Sequence, residues 1–206
     1  MIDIVLLKTV GYYPQKKYKT IWGEGAHPLL FFIILAGGEK PLKILALDQA
    51  RNGAWAVFDY EKKELLDYGV FSFDAKKYTY AQAILQIESL VAQLLNRHQI
   101  SAVFIEDIQL RANVQAFKRL AQLQGVLVNL FEKNEYLYGL IAPTQWQHFC
   151  ADCGKAAQTD MTAEKKQSKL RSLQFARAQF HIQTENDNLT DAICIGWYVV
   201  NMVPII

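Results

Sequence analysis

The chain predicts an α/β fold built on one mixed sheet, three antiparallel strands followed by two parallel strands, with helices on both faces. Three observations lead there. Apolar or alternating runs at 43–48, 54–60 and 65–73 are separated only by short turn-rich or charged links. Two amphipathic stretches at helical spacing then alternate with short strand-like runs at 101–106 and 136–142. Two further helical stretches, 162–180 and 189–202, close the chain.

Each element has its own signal. KILALD at 43–48 is a continuous apolar run of the kind a central strand buries, and it ends on a carboxylate, Asp48. Arg51-Asn52-Gly53 turns the chain into 54–60, and Glu61-Lys62-Lys63 turns it again into 65–73, which makes a meander of hairpins. Ile84, Ile87, Leu90, Val91, Leu94 and Leu95 mark a helix over 80–98. The strand 101–106 ends on Glu106, repeating the device of Asp48. Phe117, Leu120, Leu123, Val126, Leu127 and Leu130 mark a second helix over 114–132, and Pro143 stops the strand at 136–142. There is no internal repeat or low-complexity tract.

A length of 206 residues suits one domain with a sizeable core, and an apolar fraction of 51% excludes a disordered chain. The net charge of +2 is too small to announce nucleic-acid binding, so a basic face has to be sought locally. Three cysteines, Cys150, Cys153 and Cys194, cannot close a disulfide framework and suit the reducing cytoplasm. No stretch approaches the roughly 20 apolar residues of a membrane span. The segment 1–41 stands apart as an N-terminal extension to a domain at 42–206. Its apolar run PLLFFIILAGG follows Lys16, Lys17 and Lys19, like the core of a signal peptide. Nothing after it looks extracellular and only Ala36-Gly37-Gly38 resembles a cleavage site, so secretion is the minor reading. The other reading is upstream translation, because Leu42 sits where an alternative start would place the first strand; a native tryptic peptide spanning 20–43 would overturn it.

Two strands ending on carboxylates in one sheet suggest a metal site. Asp48 taken alone also suits the start of a hairpin, but Glu106 is harder to dismiss, since Glu is rarely buried without a partner. Its neighbour Asp107 is expected on the opposite face.

The pieces ALDQARNGAWAVFD (46–59), VFIEDIQL (103–110), LAQLQGVL (120–127), PTQW (143–146) and DNLTDAICIG (187–196), in this order, resemble the RuvC family of Holliday-junction resolvases, especially its short phage and prophage members, within the RNase H-like superfamily. The resemblance runs from Lys43 to about Val200. It implies a homodimeric, structure-selective DNA endonuclease in which each subunit cuts one strand of a four-way junction by two-metal-ion hydrolysis. Such chemistry needs carboxylates converging on cations about 3.5–4 Å apart. Carboxylates at that separation repel by about 4 kcal/mol at an effective dielectric of roughly 20, which calls for cations, protons or good solvation. Oxygen ligands and a phosphate substrate favour Mg²⁺, with Mn²⁺ as a substitute.

By resemblance, Asp48, Glu106 and Asp191 are catalytic metal ligands. The family commonly carries a further acid three residues before the position of Asp191, where this chain has Asn188, with Asp187 one residue earlier. Both spacings share a helix face, so Asp187 is taken as the fourth ligand and Asn188 as the neutral alternative. Either residue would also serve as a helix N-cap. The family's glycine-containing turn comes late here, at Gly53, on a shorter loop.

For DNA, Lys155, Lys165, Lys166, Lys169, Arg171 and Arg177 outnumber Asp160 and Glu164 between 155 and 177. Such a cluster grips phosphates by releasing counterions, and Lys165 or Lys166 best matches basic residues of related resolvases. Arg111, Lys118 and Arg119 flank the other long helix and would meet a second arm. A solvated helix face is the plainer alternative. Cys150 and Cys153 with His148 lack the second ligand pair of a structural zinc site and read as thiols in a loop. Trp146 reads as a packing anchor, or as a base-stacking platform where exposed. His98 and His181 read as surface residues.

Competing functions are an RNase H-like nuclease acting on RNA or other branched DNA, and a junction-binding protein that has lost catalysis, as Asn188 would suggest. A sugar-kinase or actin-like ATPase needs a second phosphate loop and an adenosine-binding glycine pair, and the chain after Asp107 has neither.

Overall fold

Two-residue periodicity divides the strands between two cores. The computed structural model describes residues 41–110, 113–153 and 164–205, with side chains outside 151–170. The elements are β1 (Lys43–Asp48), β2 (Asn52–Asp59), β3 (Glu64–Ser72), α1 (Tyr80–His98), β4 (Ala102–Glu106), α2 (Val114–Lys133), β5 (Leu137–Ile141), α3 (Pro143–Cys153), α4 (Glu164–Phe180) and α5 (Asp187–Met202). The sheet order is β3-β2-β1-β4-β5, with β1, β2 and β3 antiparallel and β4 and β5 parallel to β1. This is the mixed sheet expected. The N-terminal extension lies, apart from Pro41, outside the described residues.

On one face Ile44, Ala46, Ala102 and Phe104 pack with Ala192, Ile193, Ile195 and Val199 of α5. On the other, Leu45, Leu47, Val103 and Ile105 pack with Ile87, Val91, Leu94 and Leu95 of α1 and Leu123 and Leu127 of α2. Side chains alternate along a strand, so the next residue on the α5 face is Asp48 in β1 and Glu106 in β4. Strand pairing and the hydrophobic pattern therefore choose the face on which the acids appear.

Helix ends follow local chemistry. Thr79 and Gln82 form a capping box at α1, and the Asn113 side chain accepts from the Ala116 N–H at α2. At α5 the cap is Asn186, whose side chain accepts from Leu189 N at 3.1 Å, so neither Asp187 nor Asn188 is the N-cap. α5 is tied to the sheet at both ends: Asn188 Nδ2 donates to Asn52 O at 3.0 Å, and Tyr60 Oη donates to Val203 O at 2.8 Å.

Between those ties Gly196 lets α5 settle onto β1 and β2. A Cβ there would stand 2.3 Å from Phe58 Cε2 and 3.3 Å from Ala46 Cβ, and Phe58 is fully buried. Gly196→Ala is expected to cost about 1–3 kcal/mol, the usual penalty for overpacking, despite the better helix propensity of Ala. Thermal melts should show a fall of roughly 2–4 °C per kcal/mol; an unchanged or higher melting temperature would contradict this packing.

Two expectations are corrected and a third is narrowed to its first reading. The stretch after Pro143 is helix α3 rather than loop, and Cys150 within it is buried, its Sγ 3.8 Å from Cys194 O. His98 is not a free surface residue: its ring lies 5.9 Å from Trp55 and its Nε2 3.3 Å from Asp67 Oδ2. Burial lowers the His98 pKa, with the Asp67 carboxylate pulling the other way. Trp146 is only 3% exposed, which excludes base stacking and leaves the anchor reading. Among the described residues no helix is long and apolar enough to cross a membrane.

Candidate active site

β1 and β4 run parallel with Leu47 paired to Ile105, so Asp48 and Glu106 end adjacent strands on one face. The first turns of α5 lie over this carboxyl edge, because Asn188 is bonded to Asn52 at the start of β2. Asp187 and Asp191, four residues apart inside the helix, share one of its faces. The Asp48 carboxyl is held well above the ordinary carboxylate range, first by burial and then by the negative charges of Glu106, Asp191 and Asp187 in that order. All three other acids are thus close enough for Asp48 to feel them.

Their donor chemistry suits a hard divalent cation: carboxylate oxygens, no sulfur or imidazole, and negative charge concentrated on an apolar floor. Among the described residues no three His, Cys, Asp or Glu side chains already close on a single point. The four acids stand in one neighbourhood, with Asp48 at its centre.

Several side chains support the edge. Trp146 Nε1 donates to Glu106 Oε1 at 3.1 Å. Gln49, itself 5% exposed, donates from Nε2 to the Glu106 backbone oxygen at 2.8 Å, linking the ends of β1 and β4. Asp107 turns to the other face, where it accepts from Gln124 Nε2 of α2 at 3.3 Å. Gly53 passes so close below Asp48 that a Cβ would lie 2.4 Å from the Asp48 carbonyl oxygen and 2.6 Å from Phe71 Cζ. The late glycine of this loop is therefore what permits β2 to return beneath Asp48.

Sequence reasoning missed Gln49 and the polar contact of Trp146. One signal was present in the chain. PTQW follows β5 directly, and β5 is parallel to β4 with Ile141 paired to Glu106, so this motif must emerge at the same edge as the acid.

The expected DNA-binding cations are only partly described. Lys118 and Arg119 are exposed on the first half of α2, which starts beyond the acidic end of β4, and the Arg119 guanidinium lies 5.8 Å from the Tyr80 ring centre. Arg171 of α4 is exposed and lines a hollow with Thr144, Trp146, Gln147 and Ser172, next to the indole that contacts Glu106. Lys165, Lys166 and Lys169 fall on α4, but their side chains, and Arg111 altogether, lie outside the described residues.

Known structures share this fold. The chain superposes on Thermus thermophilus RuvC in complex with a Holliday junction substrate with a TM-score of 0.58 at 14% identity, covering 76% of this chain and 91% of that one. For the fowlpox virus Holliday junction resolvase the TM-score is 0.52 at 13% identity, covering 79% and 100%. For the yeast mitochondrial Holliday junction resolvase it is 0.51 at 12% identity, covering 84% and 80%. No curated protein sequence matches. The family model of the crossover junction endodeoxyribonuclease RuvC matches residues 50–195, which include three of the four acids and all of the sheet beyond β1: the chain belongs to the RuvC family.

Proposed function

We propose that this enzyme resolves four-way DNA junctions by hydrolysing one phosphodiester per subunit, with Asp48, Glu106, Asp187 and Asp191 holding two Mg²⁺ ions, or Mn²⁺ in their place. The observation that carries the reading is the gathering of three further acids around Asp48, where parallel strands end under a helix start. When bound there, paired divalent cations supply activation of the attacking water and stabilisation of the leaving oxygen. The chain's part is to hold ligand oxygens in place on rigid elements: Asp48 and Glu106 on paired strands, Asp187 and Asp191 on a helix tied at both ends.

Lys118, Arg119 and Arg171, with Arg111, Lys165, Lys166 and Lys169, are assigned to the phosphates of the junction arms. Their contribution is sequence-independent and weakens with salt. Paired cuts need two sites, so the working form is a homodimer. Buried Cys150 and Cys194, in a chain of three cysteines, suit a reducing, cytoplasmic setting.

Cleavage of a synthetic four-way junction, a linear duplex and an RNA/DNA hybrid, each with and without Mg²⁺, tests the proposal. The junction alone should be cut, at paired positions, and only with the metal; light scattering should give the mass of two chains. Cutting of the hybrid would make this an RNase H-like nuclease of other specificity. Junction binding without cutting would favour the inactive module that Asn188 suggests.

A further inference from the structure

We infer that Trp146 is a positioning residue for the metal-ligating carboxylate of Glu106, acting through its indole N–H rather than through ring packing alone; this rests on the four-acid reading above. The contact is Nε1 to Oε1 at 3.1 Å, made by a tryptophan that is only 3% exposed. A buried indole N–H needs an acceptor, and a packing tryptophan is served equally well by a main-chain carbonyl. Here the acceptor is a site carboxylate.

The surrounding structure fixes the donor. β5 pairs with β4 so that Ile141 lies beside Glu106, and α3 begins two residues later at Pro143. The start of α3 is locked by a reciprocal pair, Ala142 N to Gln145 Oε1 at 2.9 Å and Gln145 N to Ala142 O at 2.9 Å. Trp146 is the next residue, in the first turn, with its ring in the core beneath α5. Meanwhile Gln49 holds the main chain of Glu106 through its carbonyl oxygen at 2.8 Å. Glu106 is thus gripped from both sides, backbone from β1 and carboxylate from α3.

A neutral donor suits this role. It restrains rotation of the carboxylate plane and occupies one lone pair of Oε1, yet leaves the negative charge that a cation requires. A Lys or Arg at the same place would neutralise the ligand it orients. Hydrogen-bond partners of metal ligands typically change metal affinity or activity by about 10–100-fold when removed.

The test is Mn²⁺ binding, followed by the electron paramagnetic resonance signal of the free ion, beside Mg²⁺ titrations of junction cleavage. Trp146→Phe removes the N–H but also ring volume. A second variant, with 3-benzothienylalanine incorporated at position 146, replaces the N–H by sulfur at nearly constant shape. Both should weaken Mn²⁺ binding about 10–100-fold and raise the half-maximal Mg²⁺ concentration similarly. Junction affinity without divalent ions should not move, and saturating Mg²⁺ should restore most of kcat. A benzothienyl variant that binds Mn²⁺ within about twofold of wild type, while Asp48→Asn abolishes binding, overturns this inference alone. Mn²⁺ binding unaffected by Asp48→Asn overturns the four-acid site and this inference with it.

Discussion

Asp48→Asn is expected to lower junction cleavage by at least about 10³-fold while raising the melting temperature of the metal-free protein. The loss follows from removing a proposed metal ligand at the centre of the four acids, since metal stabilisation of transition-state charge is worth several kcal/mol and about 1.4 kcal/mol is a tenfold change in rate. The gain follows from the raised pKa of Asp48, whose first cause is burial and whose further causes are Glu106, Asp191 and Asp187. A carboxyl with a folded pKa above its unfolded value binds its proton more readily when folded. Its cost to stability is absent below the unfolded pKa, grows as pH rises towards the folded one, and is complete above that. Asparagine cannot ionise, so the variant should gain most at neutral pH and above, and the difference should vanish in acid. Melts with a chelator from about pH 4 to about pH 8 measure this, at roughly 2–4 °C per kcal/mol. Added Mg²⁺ should then raise the melting temperature of wild type and leave the variant nearly unmoved, because a ligand stabilises only the state that binds it. A variant that cuts at the wild-type rate, or melts below wild type throughout, would remove Asp48 from the centre of the site.

Asp48 and Glu106 were legible because they depend on patterns one element long, whereas Asp187 and Asp191 were reached through the family resemblance. An apolar run that ends on Asp48, another that ends on Glu106, and strand alternation suffice to place both on one face once the strands pair. α1 was equally legible, with a broad apolar stripe and a capping box at Thr79. α3 was not. Pro143 reads as the stop of a strand, yet proline is also at home in the first turn of a helix, and Trp146, Phe149 and Cys150 are too few to display a period among Gln, His and Asp. The roles of Gln49 and Trp146 depend on which strands lie side by side and in what register, β1 against β4 and β4 against β5, which no local pattern encodes. The same holds for His98, whose partner Asp67 comes from β3, before the helix that carries the histidine.

The fourth acid separates two neighbouring residues by their geometry. Asp187→Asn should reduce cleavage about 10²–10³-fold, as the loss of roughly 3–4 kcal/mol of charge stabilisation implies, whereas Asn188→Ala should reduce it less than about tenfold. Asn186 caps the helix, so Asp187 and Asp191 both lie within it at a four-residue spacing, and the Asp187 charge acts on Asp48. The amide nitrogen of Asn188 has another task, donating to Asn52 O at 3.0 Å and tying α5 to the start of β2. Removing that tie costs about 1 kcal/mol of stability, the net value of one hydrogen bond, and loosens the helix that carries both acids. An acid at this position would turn a carboxylate towards the Asn52 carbonyl, so Asn188→Asp should destabilise the fold without adding activity. Single-turnover cleavage at saturating Mg²⁺, beside thermal melts of each variant, separates loss of a ligand from loss of the tie. Should Asn188→Ala abolish cleavage while Asp187→Asn cuts normally, the fourth ligand is the neutral amide. Metal would then be met by the amide oxygen Oδ1, while Nδ2 keeps its bond to Asn52 O, so Mg²⁺ would leave the tie of α5 to β2 intact.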